Sequence, residues 1–116
     1  MKGSLVAIVS PMMANGDIDF NSFKKLLSFH EDANTNGIVL AGTTGESATL
    51  TKYERGEVFS FAKAESKLPL IAGVGSSSTN DAIELIEIAQ KNGIDNCMAV
   101  TPYYNKPSQK GLFLHF

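Results

Sequence analysis

The chain has 116 residues, 43% hydrophobic and 19% charged, with a formal net charge of −2, which is enough for one modest core. Its ten basic and twelve acidic residues are mixed along the sequence, so there is no basic stripe for nucleic acid and no cationic amphipathic face for a membrane surface. The single cysteine, Cys97, cannot form an internal disulfide, which fits a reducing compartment.

In chain order, Leu5–Val9 is a short β-rich run that stops at Ser10-Pro11. It is shorter than the ~7–15 apolar residues of a secretory signal core. No segment approaches the ~20 apolar residues of a membrane helix, so the expected setting is the cytoplasm. Asn15-Gly16-Asp17 is turn chemistry. Phe23, Leu26, Leu27 and His30 recur at i, i+3, i+4, i+7 and predict a helix that stops near Asn36-Gly37. Ile38–Ala41 is the second strand. Thr51-Lys52-Tyr53-Glu54 has capping-box spacing and predicts a helix from there to about Lys67, ahead of Pro69. Leu70–Ala72 is the third strand and Gly73–Ser78 a loop. A third helix carries Ala82, Leu85, Ile86 and Ala89 on one face and stops at Asn92-Gly93. Cys97–Val100 is the fourth strand, in which Cys97 reads as a small buried hydrophobe rather than a reactive thiol. The loop Thr101–Pro107 leads to Ser108, a candidate cap for a fourth helix.

The strand runs are apolar on both faces, the pattern of parallel strands covered by helices. Asn36-Gly37-Ile38 and Asn92-Gly93-Ile94 echo each other at two helix-to-strand passages and suggest a repeated unit. Two α/β architectures fit: a small doubly wound sheet, or part of a (β/α)8 barrel, which needs ~250 residues. The tail Gly111–Phe116 reads as the first turns of an apolar-faced helix without a stop signal. The expected fold is therefore an incomplete TIM (β/α)8 barrel, about the first four strands and three helices, with residues 1–116 forming the N-terminal part of a single barrel domain.

In such a protein the chemistry gathers at the C-terminal ends of the strands. Gly42-Thr43-Thr44-Gly45-Glu46 follows strand two, Gly73–Ser78 follows strand three, and Thr101-Pro102-Tyr103-Tyr104-Asn105-Lys106-Pro107 follows strand four. Gly42 and Gly45 let backbone approach a ligand, and the intervening N–H groups with the Thr43 and Thr44 hydroxyls can converge on a small carboxylate. An equally good reading is a strand-to-helix turn whose threonines bond local backbone. No Gly-Lys-Ser/Thr follows for a polyphosphate, and Ser78 replaces the third glycine of a dinucleotide loop. His30 and His115 are isolated, without metal-ligand spacing. Glu46 reads as a structural carboxylate bonding backbone. A tyrosine of the 103–104 pair can pass protons through its phenol, or the pair can be an apolar contact patch.

Together, "GTTGESATL", "PLIAGVGSSST" and "TPYYNKPSQ", with "LVAIVSPM" near the start, resemble the dihydrodipicolinate synthase family over essentially the whole chain, but only over the N-terminal part of that family's length. The wider superfamily includes N-acetylneuraminate lyase and other pyruvate-dependent aldolases, which vary the second position of the GTTGE segment and the double-tyrosine loop. The remaining alternative is a small non-catalytic α/β domain.

The resemblance implies a lyase of class I aldolase type, without cofactor or metal, that condenses pyruvate with aspartate semialdehyde through a lysine Schiff base in lysine and diaminopimelate biosynthesis. It implies a homotetramer, a dimer of dimers. Thr44 matches the threonine that holds the pyruvate carboxylate, Thr43 a hydroxyl of a three-residue proton relay, and Tyr104 the relay tyrosine that crosses into the partner's site, with Tyr103 in the same dimer-facing patch. The second relay tyrosine and the Schiff-base lysine lie beyond residue 116 in the family, so the 116 residues alone are expected to be inactive. Ser47, Ala48, Lys52, Arg55, Ser77, Asp81 and Tyr103 fall at or near the family's lysine feedback site. Lysine-inhibited bacterial members often carry histidines where Lys52 and Arg55 stand, and an amide and a longer carboxylate at 77 and 81. Cations at 52 and 55 are expected to repel lysine.

Overall fold

The structure is a computed structural model that describes residues 2–116. Four strands and four helices alternate: β1 Leu5–Ala7, α1 Phe20–Asp32, β2 Gly37–Leu40, α2 Lys52–Glu65, β3 Leu70–Gly73, α3 Thr79–Lys91, β4 Asn96–Met98 and α4 Gln109–His115. The strands are parallel and lie in the order β1-β2-β3-β4.

Strand order decides between the two architectures open at the sequence level. A doubly wound sheet reverses its strand order and carries helices on both faces. Here each strand pairs with its successor in sequence. One apolar cluster joins Ile8, Ile38, Leu40, Leu70, Ala72 and Val74 of the sheet to Phe23 and Leu27 of α1, Val58, Phe59 and Ala62 of α2, and Leu85 and Ala89 of α3. The helices therefore share one face of the sheet, α1 against α2 and α2 against α3. This is the layering of an incomplete (β/α)8 barrel.

The helix ends follow local chemistry. Asp19 caps α1, its carboxylate accepting from Ser22 N at 3.0 Å and Ser22 Oγ at 2.6 Å. Thr51 and Glu54 form the anticipated capping box on α2, with Glu54 Oε2 2.7 Å from Thr51 N. Ser78 caps α3 and Ser108 caps α4. The Asn-Gly-Ile echo marks a helix-to-strand passage in both places, but its two glycines differ in conformation. Gly93 takes φ 73° just past α3, but α1 has already ended at Asp32, and Asn34, at φ 55°, makes the corresponding left-handed turn. Gly37 instead opens β2.

Burial across the sheet is uneven. All four residues of β2 are buried, whereas all three of β4 are exposed. Cys97 belongs to β4 and is exposed, which corrects the expectation of a buried cysteine. It pairs in register with Ala72, but β4 is an edge strand with a neighbour on one side only. Leu5, Val9, Met98 and Val100 are each 42–50% exposed. Among the described residues no helix is long and apolar enough to cross a membrane.

Candidate active site and its rim

The turn after β2 is built against expectation. Positive φ falls on Ala41 (46°) and Glu46 (59°), not on the glycines. Left-handed backbone is unfavourable for residues with a Cβ and persists where the surroundings impose it. Here Ser47 N donates to Gly42 O, Glu46 N to Thr43 O, and Thr49 N to Glu46 O. The backbone of Glu46 thus does the bonding that its carboxylate was expected to do. The two glycines serve different needs. A Cβ on Gly45 would stand 3.1 Å from Ala41 Cα and 3.1 Å from Ile8 O, and Gly45 O accepts the buried Ser10 hydroxyl at 2.9 Å. Gly45 is glycine because its own chain crowds it. A Cβ on Gly42 would meet only Met98 Cε at 3.5 Å and Val39 Cγ1 at 3.7 Å. Gly42 is thus not held to glycine by close backbone contact.

Two further glycines draw the three loops together. A Cβ on Gly73 would lie 2.3 Å from Ala41 O, and one on Gly75 would lie 2.4 Å from Val100 N. The ends of β2, β3 and β4 therefore approach backbone to backbone. Between them lies a cavity of about 520 Å³, lined among others by Thr43, Glu46, Ser47, Ala48, Gly75, Val100 and Tyr103. In the loop after β4, Tyr103 O accepts from Asn105 N at 2.8 Å and from Ser77 Oγ at 2.6 Å, while Asn105 Nδ2 donates to Ser77 O at 3.1 Å. Tyr104 sits between these tethered residues at φ 68°, with 97% of its surface exposed.

These glycines, threonines and paired tyrosines stand at one rim in the order that their motifs have in the sequence. The family model described as the dihydrodipicolinate synthetase family matches residues 1–116. The chain belongs to this family. It is 52% identical over 116 residues to 4-hydroxy-tetrahydrodipicolinate synthase of Stutzerimonas stutzeri, with 98% of this chain and 40% of that protein covered. The chain thus spans about 40% of the length of the curated relatives it matches. Among solved structures it is similar to dihydrodipicolinate synthase from Aquifex aeolicus, with a TM-score of 0.95, 40% identity, and coverage of 99% of this chain and 40% of that one. It is also similar to the chloride-inhibited dihydrodipicolinate synthase from Acinetobacter baumannii complexed with pyruvate, with a TM-score of 0.92, 47% identity, and coverage of 97% and 40%.

In this dihydrodipicolinate synthetase family chain, the residues that the resemblance sets at a lysine feedback site are close neighbours. Ser47, Ala48 and Tyr103 line the cavity. Ser77 holds the Tyr103 carbonyl. Lys52 Nζ lies 2.5 Å from Asp81 Oδ1 and 2.5 Å from Glu84 Oε2. Arg55 is buried and donates through Nη2 to Ser47 O, while its Nε and Nη1 find no hydrogen-bond partner among the described residues. Burial lowers the pKa of the Arg55 guanidinium, partly offset by nearby Tyr103 and Asp81. The two cations at 52 and 55 are therefore unequal: Lys52 is neutralised by two carboxylates, and Arg55 is the less compensated charge.

The expected catalytic set is less concentrated. Thr43 and Tyr103 share the cavity, but Thr44 does not line it and Tyr104 points into solvent. Tyr103 and Tyr104 accordingly face different surroundings, the cavity and open solvent. The sequence assigns no role to Ser10, Glu84 or Asn105. Ser10 reaches Gly45 across 35 residues, a pairing that no local pattern announces. Asn105, inside the double-tyrosine motif, was the one open to notice.

Proposed function

We propose that this chain supplies the N-terminal strands of a 4-hydroxy-tetrahydrodipicolinate synthase, a cytoplasmic lyase of class I aldolase type working in lysine and diaminopimelate biosynthesis as a dimer of dimers. Residues 1–116 are the first part of one barrel domain. A lysine outside them forms an imine with pyruvate, a methyl proton leaves to give the enamine, and the enamine carbon attacks aspartate semialdehyde before the product cyclises. Thr44 holds the pyruvate carboxylate, Gly42 leaves room beside it and Gly45 shapes the turn. Thr43 and Tyr104 carry protons, Tyr104 in the neighbouring subunit's site. Hydroxyls suit that task because each can donate and accept at once.

The observation that supports this reading best is the meeting of the Gly42–Glu46 turn and the Tyr103–Tyr104 loop at one rim of a chain of this family. The near-complete exposure of Tyr104 supports an action outside its own chain. Lys106 is exposed in a polar loop, outside the water-excluded surroundings that suit an imine-forming lysine.

The test is on the full-length protein. Pyruvate with borohydride should leave one stoichiometric pyruvyl adduct, on a lysine outside residues 1–116, and aspartate semialdehyde should be consumed in preference to longer sugar-acid aldehydes. An adduct on any of the nine lysines in this sequence, or a preference for the longer aldehydes, would overturn the assignment. Tyr104→Phe should lower kcat by about 10²–10⁴-fold, the usual range for lost proton transfer.

A further inference from the structure

Tyr104 occupies left-handed backbone, φ 68°, without being a glycine and without burying its side chain, which is 97% exposed. Nothing that the side chain packs against explains the conformation. The backbone on either side does. Tyr103 O, immediately before it, receives Asn105 N at 2.8 Å and Ser77 Oγ at 2.6 Å. Asn105, immediately after it, sends Nδ2 3.1 Å to Ser77 O. Ser77, Tyr103 and Asn105 thus close a ring of hydrogen bonds around a single free residue. Ser77 belongs to the loop after β3, and that loop is set beside β4 and its continuation by Val74 N donating to Met98 O at 3.0 Å and by the close approach of Gly75 to Val100. The ring is therefore anchored to the sheet and does not merely tie a loop to itself.

We propose that Ser77 and Asn105 are positioning residues for Tyr104, a clamp that holds its backbone left-handed and aims its phenol away from its own chain. The proposal rests on the reading of Tyr104 as a proton carrier given above. Left-handed backbone at a bulky residue persists only where its surroundings over-determine it, and the three bonds supply that. Because Tyr103, whose carbonyl Ser77 holds, also lines the cavity, the clamp gives that cavity a direct connection to the direction of Tyr104.

The experiment uses the full-length protein with Ser77→Ala, Asn105→Ala, the conservative Ser77→Thr, and each combined with Tyr104→Phe. In crystal structures of Ser77→Ala and Asn105→Ala, Tyr104 should leave the left-handed region, and in Ser77→Thr it should stay. Tyr104 unmoved in both alanine variants overturns the clamp, whatever reaction the protein catalyses. In kinetics, Ser77→Ala should lower kcat by about 10–100-fold, as misplacement of a reacting group does. The KM for pyruvate should change by less than about twofold, because the loss falls on the transition state and not on substrate binding. Ser77→Thr should restore kcat. In the Tyr104→Phe background Ser77→Ala should have no further effect, since the two act as one unit. An equal loss in both backgrounds overturns the clamp. Wild-type kcat in Tyr104→Phe overturns instead the proton-carrier role, and the crystallographic arm still decides the clamp.

Discussion

Lys52 of α2 and Asp81 of α3 meet at 2.5 Å, Nζ to Oδ1, and join the starts of two neighbouring helices. Glu84, one turn further along α3, shares the same ammonium at 2.5 Å. Lys52 holds the Asp81 carboxyl below the usual range, and Asp81, then Glu84, raise Lys52 above its own. For Asp81 the stabilisation is present above the ordinary carboxylate value and is lost as pH falls through the lowered one. For Lys52 it is present below the ordinary lysine value and is lost as pH rises through the raised one. Asp19, lowered by Ser22, Glu31, lowered by the Lys67 backbone, and Glu54, lowered by Thr51, act on the acid side as well. Thermal stability of the full-length protein should be level through neutral pH and fall below about pH 4, where these carboxylates protonate. Asp81→Asn should melt lower than wild type at pH 7 and alike at the acid end. A constant gap at every pH would show that the ion pair is not the cause.

Lysine inhibition should respond unequally to the two cations. Neutralising Arg55 as Arg55→Gln removes the charge with less compensation and should strengthen inhibition by lysine, with each tenfold in the inhibition constant corresponding to about 1.4 kcal/mol. Lys52→Gln should also strengthen it, by leaving Asp81 and Glu84 free to attract the effector's ammonium groups. Strong inhibition in the wild type, unchanged in both variants, would remove these residues from the effector pocket.

Gly42 and Gly73 should behave oppositely when replaced by alanine. At Gly73 the new methyl meets the Ala41 carbonyl oxygen at 2.3 Å, and backbone must shift; a loss of about 2–3 kcal/mol is expected, typical of overpacking. At Gly42 the nearest atom is a methionine methyl at 3.5 Å, so stability should hold within about 0.5 kcal/mol, as for an unstrained site. Any loss of pyruvate affinity in Gly42→Ala then reports on ligand approach. Chemical denaturation of both variants in the full-length protein, beside their KM for pyruvate, tests the contrast.

The 116 residues expressed alone should self-associate. β1 and β4 each have one unpaired edge, and such edges template pairing with other chains. Leu5, Val9, Met98 and Val100 add exposed apolar surface. Sedimentation should show aggregates or a heterogeneous distribution. A soluble monomer with a sharp cooperative melt would favour a self-sufficient small α/β domain.

The order of strands and helices was legible because periodicity and caps are local. Phe23 and Leu27 face the core, and Thr51 with Glu54 makes its capping box. What stayed hidden was decided by distant backbone. The α1 stop looked like Asn36-Gly37, yet Asn34 takes the left-handed turn, a role that asparagine tolerates well enough to displace a nearby glycine. Cys97 looked buried because its run is apolar, but burial depends on a neighbour beyond the edge strand. The GTTGE turn was found for its glycines, although Ala41 and Glu46 carry the positive φ. Gly45 is fixed by Ile8 and Ala41, contacts that composition cannot announce.

The strictly sequential strand order also bears on how the chain is made. Val6 pairs with Ile38, Ile38 with Leu70, and Ala72 with Cys97, so every pairing waits for one intervening helix and no more. During synthesis each new βα unit can dock on the one that has just left the ribosome, without holding a strand open for a distant partner. Pairings of modest sequence separation cost less loop-closure entropy and favour faster formation. Assembly from the N-terminus moves the growing edge forward one strand at a time, while the edge of β1 stays unpaired among these strands from first to last, so two edges need shielding during synthesis.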